Sequence, residues 1–342
     1  MRKYSLNRKY FQKYLKLGGL FIIISFIAAY FYSSKSRAHT SYATREMQFS
    51  YAFTVKNIPP EAKHVDIWAP VPQSDSRQNI SNLEIRCDYP YSFEIGPEYQ
   101  NPLLKVAANG SIPESLSVSM NFSVTRTAYH FLKEKDQPSA TISEKARRRF
   151  LAPDHLVPID GRIADEAKKV VRDDMTPLEK ARAIYDHVAG TVTYDKSGAG
   201  WGRGDAVYAC DARSGNCTDF HSLFIGMARA SAIAARFVMG FPVPEGATEG
   251  NIPGYHCWAE FYIDGMGWLP IDASEASKHP EKWDDFFGGL DPHRIQFTIG
   301  RDIRIPSMGQ SEPLNYFVYP YVLIDGKPHD DVQRHIRFSE LK

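Results

Sequence analysis

Cysteine is scarce in this chain: Cys87, Cys210, Cys217 and Cys257 are the four in 342 residues, and no two form a C-x-x-C pair. That excludes a disulfide-stapled scaffold and makes a zinc ribbon unsupported. No charge of one sign dominates, with 41 Lys and Arg against 40 Asp and Glu, so a strongly basic nucleic-acid binder is not indicated. Internal repeats and low-complexity blocks are also missing. With 43% hydrophobic and 24% charged residues the composition is that of a globular protein, not a disordered, collagen-like or coiled-coil chain. The length is enough for two domains.

The one absolute absence is local. Residues 1–38 contain eight bases and no acid, whereas the remainder carries 33 bases against 40 acids. Inside that basic tail Leu17–Tyr32 is an uncharged apolar run of 16 residues ending in Tyr30-Phe31-Tyr32. A basic flank followed by such a run is an export signal or membrane anchor. The run is near the lower limit of roughly 17 residues for a spanning helix. Ser34-Lys35-Ser36 and Ser36-Arg37-Ala38 are poor cleavage patterns, so an uncleaved single-pass anchor through residues 17–32 is the favoured reading. A cleaved signal with a secreted or periplasmic product is the alternative. The excess of bases before the run leaves the N-terminus in the cytoplasm and exports the rest.

Residues 39–131 read as a small antiparallel β-sandwich. Strand-rich runs at 47–55, 64–71, 83–88, 91–95, 103–108 and 116–131 are punctuated by Pro59-Pro60, Pro72, Pro97, Asn109-Gly110 and Pro113. Val118, Met120, Phe122 and Val124 alternate and share a face. With no cluster of titratable groups, this region reads as packing or positioning. Residues 132–146 read as a polar linker, and 147–342 as a catalytic domain ending in strands (295–299, 316–324). Thr176-Pro177-Leu178-Glu179 is a helix start with a capping box, followed by Ala181, Ile184, Tyr185 and Val188 at helical spacing. Ser197–Gly204 is Gly-rich and reads as a flexible loop.

Three segments carry the chemistry. In the first, Phe220, Leu223, Phe224, Met227 and Ala228 recur at helical spacing, with Asn216 or Ser214 as cap and Asp219 in the first turn. Cys217 is thereby placed at a helix N-terminus, whose partial positive charge favours a thiolate. Gly215 leaves room for a substrate beside the sulfur. The second and third segments, Tyr255–Gly265 and Gly267–Asp272, read as two strands joined by a tight turn. His256 and Asp272 are 16 apart, so a turn centred on Asp264 sets them opposite each other on one face. A carboxylate so placed fixes the imidazole tautomer. A one-residue slip would turn Asp272 to the other face. Taken singly, each residue has a bland reading as a core or surface side chain; together they read as a nucleophilic Cys–His–Asp site.

Five ordered blocks between Met175 and Ser274 carry a family resemblance. They are the helix entering Val192-Thr193-Tyr194-Asp195, then Arg213-x-Gly215-Asn216-Cys217-Thr218-Asp219, then Arg229 with Arg236–Phe241, His256-Cys257-Trp258-Ala259-Glu260, and Gly267–Asp272. The chain resembles the transglutaminase-like superfamily of cysteine enzymes. The resemblance implies an α+β, papain-like core, with the Cys helix on an antiparallel sheet. It also implies Cys217 as nucleophile, His256 as general base and acid, and Asp272 as the orienting carboxylate. Trp201, Tyr194, Gly215 and Trp258 are the candidates for the oxyanion and substrate side. Two departures stand out. Ala232 and Ala234 occupy the turn after the Cys helix where relatives often have Gly and Pro, and Cys257 follows the histidine where a small apolar residue is common. Alternation turns Cys257 away from His256, with pairing to Cys87 or Cys210 open. No cofactor is implied, and the calcium sites of animal transglutaminases have no visible counterpart.

The resulting expectation is a thioester-forming hydrolase, peptidase or acyltransferase acting on protein, peptide or cell-envelope amides, with no nucleic-acid partner. The competing reading is a non-catalytic binding or assembly module on the same fold. In Trp283–Arg294, the residues Asp284, Asp285, Asp291 and His293 match no defensible metal spacing, and a loop over the site with Gly288-Gly289 as a flexible point is expected.

Overall fold

The structure is a computed structural model, and it describes residues 43–131, 141–309 and 312–341. The apolar run at 17–32 lies outside the described residues. Among the described residues no helix is long and apolar enough to cross a membrane.

In chain order, β1 (Thr44–Val55), β2 (His64–Pro70), β3 (Gln78–Cys87), β4 (Tyr91–Ile95), β5 (Pro102–Asn109), β6 (Leu116–Thr127) and β7 (Tyr129–His130) come first. The helical stretch holds α1 (Glu144–Leu151), α2 (Gly161–Lys168), α3 (Pro177–Thr191), β8 (Thr193–Tyr194), α4 (Ala206–Ala212), β9 (Ser214–Gly215) and α5 (Cys217–Ala230). Then follow β10 (Ala235–Pro242), β11 (Glu249–Asn251), β12 (His256–Ile263), β13 (Gly267–Ile271), α6 (Ala273–Lys278), β14 (Gly289–Leu290) and β15 (Arg294–Ile299). The chain closes with β16 (Tyr321–Ile324), β17 (Lys327–Pro328) and β18 (Val332–Glu340).

Two five-stranded antiparallel sheets, β11-β18-β1-β6-β3 and β17-β16-β2-β5-β4, share a core. Alternation builds it: Met47, Phe49, Tyr51, Phe53 and Val55 point inward from β1 and meet Val118, Met120, Phe122 and Val124 of β6. Phe49 and Phe122 are direct cross-strand partners with ring centroids 5.2 Å apart. The tail strands, read with the 147–342 region, pair instead with the first region: β18 lies along β1, and β16 along β2. The stretch 316–324 is a strand only from Tyr321, and β18 was not anticipated. The linker ends earlier than expected, because Ser143 caps α1, its Oγ accepting from Ala146 N–H.

The third sheet is β13-β12-β10-β15, antiparallel throughout. Helix α5 packs on it through β12 and β10. From β15, Phe297 packs among Phe49, Tyr51 and Phe122 of the first sheet. This sheet is therefore covered on both faces, and every residue of β12 and of β15 is buried.

Candidate active site

Sequence dictates the start of α5. Asn216 adopts an extended conformation, and its Oδ1 accepts from Thr218 N–H at 2.9 Å. Asp219 returns the favour, Oδ2 accepting from Asn216 N–H at 2.9 Å. The same carboxylate accepts from Gly202 N–H (2.7 Å) and Gly204 N–H (3.0 Å), so the Gly-rich loop expected to be flexible is pinned. A Cβ on Gly215 would sit 2.4 Å from Asp219 Oδ2. The glycine thus makes room for the capping carboxylate, not for a substrate. Burial raises the Asp219 pKa, and the three backbone donors work against that rise.

Cys217 is the first residue of α5 and His256 the first of β12. The observed register of the β12–β13 hairpin pairs Ile271 with Ala259 and Gly267 with Ile263, so the turn centres on Gly265, not Asp264. Gly265 sits at φ 80°, a left-handed position that glycine occupies without strain. Extending this register sets Asp272 across from Trp258, a diagonal neighbour of His256. A displacement of two residues keeps the face, where one would have reversed it. Asp272 then leaves the strand and caps α6.

His256 Nε2 lies 2.7 Å from Asp272 Oδ2. Arg294 Nη1 donates to the same oxygen at 2.6 Å, while Oδ1 accepts from Ser274 Oγ (2.9 Å) and Glu275 N–H (3.0 Å). The carboxylate is fully buried, so these donors are what make its charge tolerable there. His256, Asp272 and Glu275 could each aim one ligand atom at a common point. The Asp272 oxygens are already occupied by N–H and O–H donors, which favours a hydrogen-bonded carboxylate over a metal ligand.

With Nε2 engaged, Nδ1 is the ring nitrogen left for Cys217, and the histidine hydrogen-bonds the thiol. Cys217 is held well below the ordinary thiol value, first by a hydrogen bond from the Cys257 thiol, then by His256, with burial opposing both. Burial alone would lower the His256 pKa, but the Asp272 charge and hydrogen bond outweigh it and lift it to about 10. Asp272 is held well below the usual carboxylate range: burial raises it, and His256 and Arg294 more than reverse that. The directions of the three shifts favour a thiolate, an imidazolium and a carboxylate.

The remaining candidates divide. Tyr194 lies close enough to interact electrostatically with Cys217, with Lys278 over its ring. Trp201 is half-buried in the pinned loop. Trp258 is fully buried with Val238 and Leu290, beneath the Arg294 guanidinium, and supports the arginine that holds Asp272. The segment 283–294 is a brace, not a free loop. Asp291 Oδ2 accepts from Arg294 Nη2 at 2.7 Å, Asp272 N–H donates to Phe286 O, and β14 pairs with β7. A Cβ on Gly289 would meet Asp285 O at 2.4 Å, so this glycine serves close packing. All four cysteines are free, and Cys257 faces Cys217 and His221 in place of Cys87 or Cys210. Sequence reasoning missed His221 and Arg294. The i to i+4 spacing of Cys217 and His221 on one helix was the available signal for the first; nothing local marked the second.

Residues 164–273 match the transglutaminase-like superfamily core, a stretch that holds Cys217, His256 and Asp272. Residues 164–273 therefore carry a transglutaminase-like superfamily core. It is 24% identical to an uncharacterized Haemophilus influenzae protein over 84% of this chain and 89% of that one. A candidate cysteine protease from Cytophaga hutchinsonii shares its fold, with a TM-score of 0.58 and 17% identity over 88% of this chain and 92% of that one. The periplasmic domain of TgpA from Pseudomonas aeruginosa, bound to ethylmercury, aligns at a TM-score of 0.39 and 15% identity over 71% and 93% of the two chains.

Proposed function

We propose that this protein is a cysteine acyl-transfer enzyme acting on amide or peptide bonds. The observation that carries the reading is the His256–Asp272 pair at 2.7 Å beside a thiol at a helix N-terminus. The Cys217 thiolate attacks the carbonyl carbon, forming the C–S bond. Thr218 and Asn216 N–H are occupied by the caps, which leaves Cys217 N–H as a donor to the oxyanion. His256 gives its Nδ1 proton to the leaving nitrogen as the C–N bond breaks. Water or an amine then attacks the thioester, returns a proton to His256 and regenerates the thiolate. On this reading residues 17–32 tether the enzyme to a membrane, with the catalytic part outside the cytoplasm and peptides or cell-envelope amides as substrates; the acid-free basic flank supports that topology.

Cys217→Ala is expected to abolish turnover of a panel of amides, with and without amine acceptors, and to abolish alkylation at that position, while the melting temperature is retained. Full turnover by the variant would sink the proposal.

A further inference from the structure

Cys257 follows His256 on β12, and alternation turns it to the face packed against α5. There its Sγ lies 3.5 Å from His221 Nδ1. His221 sits one turn along α5 from Cys217 and is fully buried. Its Nε2 lies 3.4 Å from Asp272 Oδ1, a charge-pairing distance, and makes no hydrogen bond among the described residues. Two arms therefore run from the Cys217 sulfur to one carboxylate. One passes through His256 to Oδ2, and the other through Cys257 and His221 to Oδ1.

We propose that Cys257 is a positioning residue for the Cys217 thiolate: its S–H donates to the Cys217 sulfur, and His221, held against Asp272, supports it from behind. This deepens the proposed function and rests on Cys217 being its nucleophile. Proton placement supports the direction of the bond. Burial and the neighbouring Cys217 charge push the Cys257 thiol well above its ordinary value, so it keeps its proton while Cys217 gives its proton up. A sulfur anion that is only 3% exposed needs more than one donor. The His256 imidazolium supplies one and the Cys257 S–H a second.

Other ionisable groups also face the two sulfurs. Asp219 comes from α5 itself, Tyr194 from β8, Tyr255 from the residue before β12, Tyr316 and Tyr319 from the segment before β16, and Arg301 from beyond β15. Burial raises all four tyrosines, which keeps them neutral. None of these groups changes in a Cys257 variant.

The test is the pH dependence of iodoacetamide alkylation of the full chain, with the label at Cys217 quantified by peptide mapping. Cys257→Val packs but cannot donate, and it is expected to move the thiolate midpoint up by about one pH unit, a tenfold loss of rate on the acidic side. Cys257→Ser keeps a donor and is expected to move it less. An unmoved midpoint in Cys257→Val, or equal shifts in the two variants, overturns the proposal. If the wild type labels normally at Cys217, either result leaves the acyl-transfer reading standing. Turnover that survives Cys217→Ala removes that reading by a separate measurement.

Discussion

Strands β1 and β12 are both central strands of antiparallel sheets, yet they are built on opposite rules. Along β1 buried residues alternate with exposed or half-buried ones, so Gln48 and Ser50 can be polar at little cost. Along β12 all eight residues are buried, and the polar ones must be partnered. His256 finds Asp272, and Glu260 finds Arg236 Nε at 2.6 Å. The same holds for β15, where Arg294 meets Asp272 and Asp291, and the Gln296 backbone N–H donates to Gln78 Oε1 at 2.8 Å. A sheet covered on both faces can hold charges away from water, where hydrogen bonds and charge pairs set protonation states. In the first sheet the buried charges, Arg45 and Arg126, sit together at one end of β1 and β6. The chemistry accordingly gathers at one end of the middle sheet, where β12 and β15 begin and β13 ends.

The largest expected effect separates the two sheets outright. Arg294→Met strands Asp272 and Asp291 without their shared cation, and breaking such a buried pair costs ~3–5 kcal/mol. Displacement of Asp272 and with it His256 is expected to lower the catalytic constant by about a hundredfold. Phe122→Ala in the first sheet costs a similar ~3–5 kcal/mol through its cavity. It is expected to leave the alkylation rate of Cys217 unchanged. Urea melts alongside labelling rates test the pair; equal losses of reactivity would erase the distinction.

A pH series sharpens the same contrast. His256 is raised from 6.5 to about 10 in the fold, so its stabilising contribution is complete below pH 6.5 and is lost as pH rises through about 10. Asp272 is lowered, so its contribution is present at neutral pH and is lost on acidification. The rate is therefore expected to fall along an alkaline limb near pH 10. Asp272→Asn removes the charge that lifts the imidazolium and is expected to draw that limb down toward 6.5. A limb that stays in place would assign it to another group.

The two sheets also differ in how far sequence reveals them. The alternation of β6 and the caps of α3 and α5 are written in adjacent residues, and those elements stand where local pattern puts them. The pairing of His256 with Asp272 was legible as a face but not as a register, because Gly265 took the left-handed position and moved the turn. The tail strand β18 carries Arg334, His335 and Arg337 on a strand whose inward residues are few, which hid its period. Arg294 and His221 act through groups distant in the chain, and no local pattern announces such partners. Positions that depend on a covered sheet are visible only once the cover is in place.

The smallest expected effect concerns backbone strain at the edge of the site. In the first sheet system the left-handed residues Asn57 (φ 51°) and Asn82 (φ 53°) are of a type that tolerates this region. After α5, Ala232 holds φ 63° directly behind the Ser231 cap, with its N–H donating to Arg229 O. An alanine there bears a penalty of ~1–2 kcal/mol, and glycine avoids it while losing ~0.5–1 kcal/mol of unfolded-chain entropy. Ala232→Gly is therefore expected to stabilise the fold by ~0.5–1 kcal/mol, roughly one to two degrees in melting temperature for a chain of this size. The turn lies at the far end of α5 from Cys217, so the labelling rate is expected to hold. An unchanged or lower melting temperature would mean that the helix exit bears no strain, and that the covered sheet is joined to its helix as comfortably as the strands of the sandwich are joined to one another.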